Sequence, residues 1–187
     1  MPNSRKPARS ARTKRAPARA SRQEPVDAKG GETALREQLV ALLRGGHAPA
    51  PFEDVVADLP VELRGRRPHG LPFSPWMLLE HMRIAQWDIL EFSRNPAHVS
   101  PEFPSGYWPT DPVPPSAGAW DASLARFHAD RDALERLAAD PETDLLTPFP
   151  HGTGQNLLRE VLVAASHTSY HLGELVLVRR ALGAWPG

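Results

Sequence analysis

Along the chain, apolar residues recur at spacings of three and four in four stretches, the period of helices that turn one face to a core. The first runs from about Glu32 to Arg44, with Leu35, Leu39, Leu42 and Leu43 on one stripe, and the pair Gly45 and Gly46 ends it. The second opens with Ser74 as its cap and Pro75 in its first turn, and ends before Asn95 and Pro96. A third spans about Ala117 to Ala139, its stripe made by Trp120, Leu124, Phe127, Leu134 and Leu137, with Asp140 and Pro141 as the stop. The fourth, Gly154 to Gly183, is the densest. Leu157, Leu158, Val161, Leu162, Val163, Leu172, Leu175, Val176, Leu177 and Val178 leave it almost no polar face, which predicts a helix buried on most sides. Thr153 is its expected cap, and Arg179 and Arg180 suit its negative C-terminal end.

The connections carry their own signals. A short amphipathic piece, Pro51 to Leu59, is expected to pack over a bundle end, and the Pro and Gly residues of 64 to 72 keep the basic loop after it irregular. Residues 96 to 115 hold seven prolines and cannot form regular structure. Some 20 residues can cross the full length of a helix, roughly 30 Å, so the second and third helices can run parallel. Tyr107 and Trp108, inside this crossover, are read as pins that hold it on the bundle rather than as lining of a site.

The whole pattern is that of an all-α four-helix bundle spanning residues 31 to 187, preceded by a tail over residues 1 to 30. The tail is rich in Arg, Ala, Pro and Ser and cannot bury enough apolar area to fold alone. A net charge of zero conceals this division. Arg5, Lys6, Arg9, Arg12, Lys14, Arg15, Arg19 and Arg22 face no acid in the first 22 residues, while the rest carries 14 Lys and Arg against 22 Asp and Glu. Such a tail serves as a disordered solubilising segment, or binds nucleic acid weakly through phosphate contacts; without interleaved aromatics it offers no base stacking. No apolar run free of charge reaches membrane-spanning length and no secretory signal opens the chain, so a cytoplasmic protein without a membrane partner is expected.

Cysteine is absent, which leaves histidine and carboxylates as metal ligands and requires any thiol chemistry to use an external thiol. On the fourth helix His167 and His171 are four residues apart and therefore share a face, one turn apart. A lone histidine there would read as a neutral, hydrogen-bonded core residue; two at this spacing point to a metal, provided that a third ligand exists. His81 on the second helix, on one face with Met77, Leu78, Ile84, Ala85 and Asp88, is the candidate. His128 is expected to be exposed, His151 to be a loop or capping residue, and His47 to sit near the site without ligating.

The segments SPWMLLEHMRIAQWDIL, GYWP with its Pro-rich turn and AW, and LREVLVAASHTSYHLGELVLVRRALGAW resemble the DinB-like family of metal-binding bundles over roughly residues 32 to 185. The resemblance implies an up-down-down-up bundle that binds a divalent ion, zinc or nickel, through three histidines, which fall on His81, His167 and His171. It also implies a homodimer, and in some relatives a transferase or isomerase activity that uses a low-molecular-weight thiol. Three neutral imidazoles leave a coordination position open, as in catalytic sites, where the ion can lower the pKa of water to roughly 7 or activate a thiolate. The small-molecule substrate is not legible, and the absence of cysteine does not decide between hydrolase and transferase. Non-catalytic metal binding in a stress response, or nucleic-acid association through the tail, are the alternatives. Glu174, one turn from His171, is the candidate orienting group or proton acceptor, while Asp88 and Glu160 lie on the ligand faces and read otherwise as surface acids. Arg66 and Arg67 read as a solvated basic loop.

Overall fold

A computed structural model describes residues 27 to 185 apart from His47 and Pro49. Among them there are five α-helices and no strand: α1 (Ala28–Arg44), α2 (Phe52–Val56), α3 (Pro75–Arg94), α4 (Ala119–Ala139) and α5 (Leu157–Ala181). Single 3-10 turns occupy Val61–Leu63 and Ser105–Tyr107. The basic segment before residue 27 and His47 lie outside the described residues.

Helix ends follow capping chemistry, not always at the expected residue. Ser74 caps α3 by accepting from the Met77 amide at 3.2 Å, and its hydroxyl donates to the Pro112 carbonyl at 2.6 Å. Helix α1 starts at Ala28, ahead of Glu32, because Asp27 accepts from the Gly30 amide. Helix α4 starts at Ala119, two residues later than expected. Thr153 does not cap α5. The chain turns at Gly154, with φ at +118°, and Asn156 takes the role by accepting from the Arg159 amide at 2.9 Å.

Two apolar clusters make the core. In one, Trp76, Leu78, Leu79 and Met82 from the start of α3 meet Trp120 and Phe127 from the start of α4, Leu172, Leu175 and Val178 from the end of α5, and Phe52, Val55 and Leu59 around α2. In the other, Leu39 and Leu43 of α1 meet Leu90 of α3, Leu134 and Ala138 of α4, and Leu157, Val161 and Ala165 of α5. Arg179, which suits the α5 terminus in charge, is buried and donates to the carbonyls of Val55, Ala57 and Ala184 at 2.7 to 2.9 Å. It thereby satisfies carbonyl groups at the end of α2, packing the short helix over the bundle as its pattern predicts.

Helix α5 departs from expectation. By length and composition it is apolar enough to cross a membrane, yet its buried residues serve both clusters. It is not buried on most sides: Leu162, Val163, Tyr170 and Leu177 form an exposed strip, with Tyr170 65% exposed.

Candidate metal centre

His81 stands in the second turn of α3, and His167 and His171 in the middle of α5, where the two helices pack side by side. The i to i+4 spacing puts the α5 pair on one face, and packing turns that face to α3. His81 Nε2 lies 3.0 Å from His167 Nε2 and 3.1 Å from His171 Nε2. One ring nitrogen from each residue lies within 4.8 Å of the others. Zinc-to-nitrogen bonds of about 2.0–2.1 Å in a tetrahedron hold nitrogens about 3.3 Å apart, so this spacing suits one ion.

The hydrogen bonds behind the rings say which nitrogens are free. His81 Nδ1 is 2.9 Å from the Tyr107 carbonyl, which can only accept, so the proton of a neutral His81 sits on Nδ1. His171 Nδ1 is 2.6 Å from Glu174 Oε2, and the carboxylate likewise takes an Nδ1 proton. Both Nε2 atoms then present lone pairs to each other. Two acceptors 3.1 Å apart repel unless a cation lies between them. A shared proton fits poorly: burial first, and then His171, hold the His81 pKa below its usual value, although the bond to Tyr107 acts the other way. Burial, followed by the charges of His171 and His81, pushes His167 down to about 4. The donor set, three ring nitrogens of which two belong to rings oriented from behind, fits a divalent transition ion.

Trp108 and Tyr107 do more than pin the crossover. The Trp108 indole stacks face to face on His81, with centroids 3.7 Å apart, and Phe73 stacks on its other side at 4.2 Å. The two acids read as surface groups are buried. Asp88 accepts from Tyr107 and from His98, a histidine that no periodic signal singles out, and Glu160 pairs with Arg159 while burial pushes its carboxyl up. His128 is half-buried against the edge of the Phe52 ring, not exposed. His151 is a loop residue bound to the Phe92 carbonyl at 2.8 Å. Arg66 is exposed and Arg67 reaches the sulfur of Met77.

These directions set a pH dependence. The folded pKa of His167 is below the ordinary 6.5, so between about 6.5 and 4 the unfolded chain binds more protons than the folded one. The contribution of this group to metal-free stability is complete above pH 6.5 and is lost as pH falls toward 4. The melting temperature of the metal-free wild type should therefore fall more steeply over that window than that of His167→Gln, as measured by thermal scans at stepped pH. Parallel slopes would contradict it.

Comparison with curated proteins and with solved structures gives no significant match. A family model described as DinB superfamily matches residues 46–175, a span that holds α2, α3, the crossover, α4 and all but the last turns of α5, with the three histidines inside it. The chain belongs to the DinB superfamily.

Proposed function

We propose that this protein is a divalent-metal-dependent enzyme of the thiol-dependent transferase or hydrolase type, acting on a small-molecule electrophile. The observation that carries this reading is the convergence of the His81, His167 and His171 ring nitrogens, two of them with their protons directed away from the meeting point. These three residues would hold the ion, zinc or nickel, which supplies Lewis acidity to a water or thiol in the open coordination position. Glu174 orients His171 and, with its side chain 31% exposed, is the proposed proton acceptor. Trp108 covers one face of His81 and limits the directions from which a substrate approaches.

The bundle is read as up-down-down-up for α1, α3, α4 and α5, supported by the clusters in which the start of α3 meets the start of α4 and the end of α5. The basic segment is proposed as a tail outside this bundle, available to nucleic acid. The homodimer expected for the family has an uncharged surface at hand in the Leu162, Tyr170 and Leu177 strip.

Elemental analysis of protein purified without a metal affinity column, followed by an electrophile panel with and without a low-molecular-weight thiol, tests the function. One ion per chain is expected, with turnover that requires thiol and disappears in His171→Ala. Full turnover without thiol would favour hydrolysis. No turnover in either arm, with the ion confirmed, would overturn the enzymatic reading.

A further inference from the structure

The loop that orients His81 is itself held from a distance. Both groups that fix the His81 ring come from consecutive residues of the Pro-rich crossover, the Tyr107 carbonyl on Nδ1 and the Trp108 indole on the ring face. Nothing in an irregular, proline-rich segment sets the position of these residues by backbone periodicity. Two side-chain ties to α3 do so. One is Ser74 to the Pro112 carbonyl at the start of the helix. The other is Asp88, whose Oδ2 accepts from the Tyr107 hydroxyl at 2.6 Å and whose Oδ1 is 2.7 Å from His98 Nε2. Asp88 thus grips the crossover at two points nine residues apart.

Asp88 lies on the same face of α3 as His81, seven residues or about 10.5 Å further along, too far to touch an ion held by His81. It is buried, at 9% exposure, and both its oxygens are used. Charge-assisted bonds of this kind are about twice as strong as neutral ones, and stronger still away from water. Tyr107, with its pKa pushed up to about 12 by burial and the neighbouring Asp88, keeps its hydroxyl proton for the bond at any working pH.

We propose that Asp88 is a positioning residue of the metal centre: by holding Tyr107 and His98 it sets the crossover so that the Tyr107 carbonyl and the Trp108 ring lock His81 in its Nδ1-protonated tautomer, with Nε2 free for the ion. This rests on the metal reading above for its purpose, while the tautomer can be read without any ion. Groups that orient a ligating histidine from behind typically alter metal affinity by 10- to 100-fold when removed. Asp88 is one link further back, acting through Tyr107.

The test uses the full chain as wild type, Asp88→Ala, Asp88→Asn and Tyr107→Phe. Histidine side-chain 15N NMR on metal-free protein reports the His81 tautomer, and chelator competition with Ni2+ reports affinity. Wild-type His81 is expected as the Nδ1–H form. Asp88→Ala should shift it to a tautomer mixture and weaken Ni2+ binding about tenfold or more, Asp88→Asn should restore most of both, and Tyr107→Phe should weaken binding severalfold. A merely structural Asp88 would lower the melting temperature without moving the tautomer. Should Asp88→Ala fail to fold, Tyr107→Phe decides, since it removes one hydroxyl only. An unchanged tautomer and unchanged Ni2+ affinity in Tyr107→Phe, or in folded Asp88→Ala, would overturn the proposal. Failure of the wild type to take up Ni2+, Zn2+ or Co2+ would overturn the metal reading instead, and the tautomer shift would still decide the role of Asp88.

Discussion

Metal-free protein should gain about 5 to 10 °C in melting temperature when a divalent ion is added at about a hundredfold excess over its dissociation constant, and His171→Ala should gain none. Binding to the folded state alone at that excess contributes about 2.7 kcal/mol. Each kcal/mol raises the melting temperature of a chain of 150 to 250 residues by about 2 to 4 °C. The expectation is specific to this site because His81 and His171 turn lone pairs toward each other at 3.1 Å, a repulsion that a bound ion would replace with two bonds. Truncating His171 removes one ligand and releases its partner Glu174, leaving two imidazoles that do not hold an ion tightly. Thermal scans of both proteins, stripped with a chelator and then reloaded, measure the difference. An equal gain in His171→Ala would place the ion elsewhere.

Phe127→Ala should cost about 3 to 5 kcal/mol, the range for truncating a fully buried aromatic side chain. Phe127 is 1% exposed and stacks on Phe52 with centroids 4.1 Å apart, so it joins α4 to the short α2 that closes one end of the bundle. The loss removes the apolar area of the ring and its stacking with Phe52, and leaves a cavity between α4 and α2. A bond from the Gln86 side chain of α3 to the Phe127 carbonyl at 2.7 Å survives the substitution and limits collapse of the site. Denaturant titration should show a lower midpoint with an unchanged slope, corresponding to a fall of about 6 to 20 °C in melting temperature. A cost below about 1 kcal/mol would mean that the α2 and α4 contact contributes little.

The four long helices were readable from the sequence because each has a 3.6-residue period bounded by residues with strong positional chemistry. Ser74 and Pro75 start α3 where the pattern places them, and Gly45 follows the last residue of α1. The shared face of His167 and His171 needed only the pitch of a helix, and His81 stood out as an imidazole among apolar neighbours. The cap of α5 does not follow from sequence because Thr153 and Asn156 are both good N-caps, and the choice between them is made by the turn at Gly154.

Other features belong to packing alone. The sequence pattern exaggerates the burial of α5 because periodicity reports how many apolar residues a helix carries, not how many neighbours surround it; no described helix covers Leu162, Tyr170 or Leu177. Asp88, Glu160 and Arg179 look like surface charges in sequence, and each is buried against a partner that comes from elsewhere in the chain or lies beside it, while His98 is half-buried against Asp88. Above all, the crossover has no repeat from which side-chain directions follow. That Tyr107 offers a carbonyl, and Trp108 a ring face, to a histidine some 26 residues earlier depends on where the segment lies along α3. Local periodicity names the three histidines that meet, since a helix carries its faces with it wherever it packs. The orientation of the His171 ring follows in the same way from Glu174, one turn away on α5, whereas that of the His81 ring, and so the direction of its lone pair, arises only when the crossover folds back over α3 and brings the Tyr107 carbonyl to Nδ1.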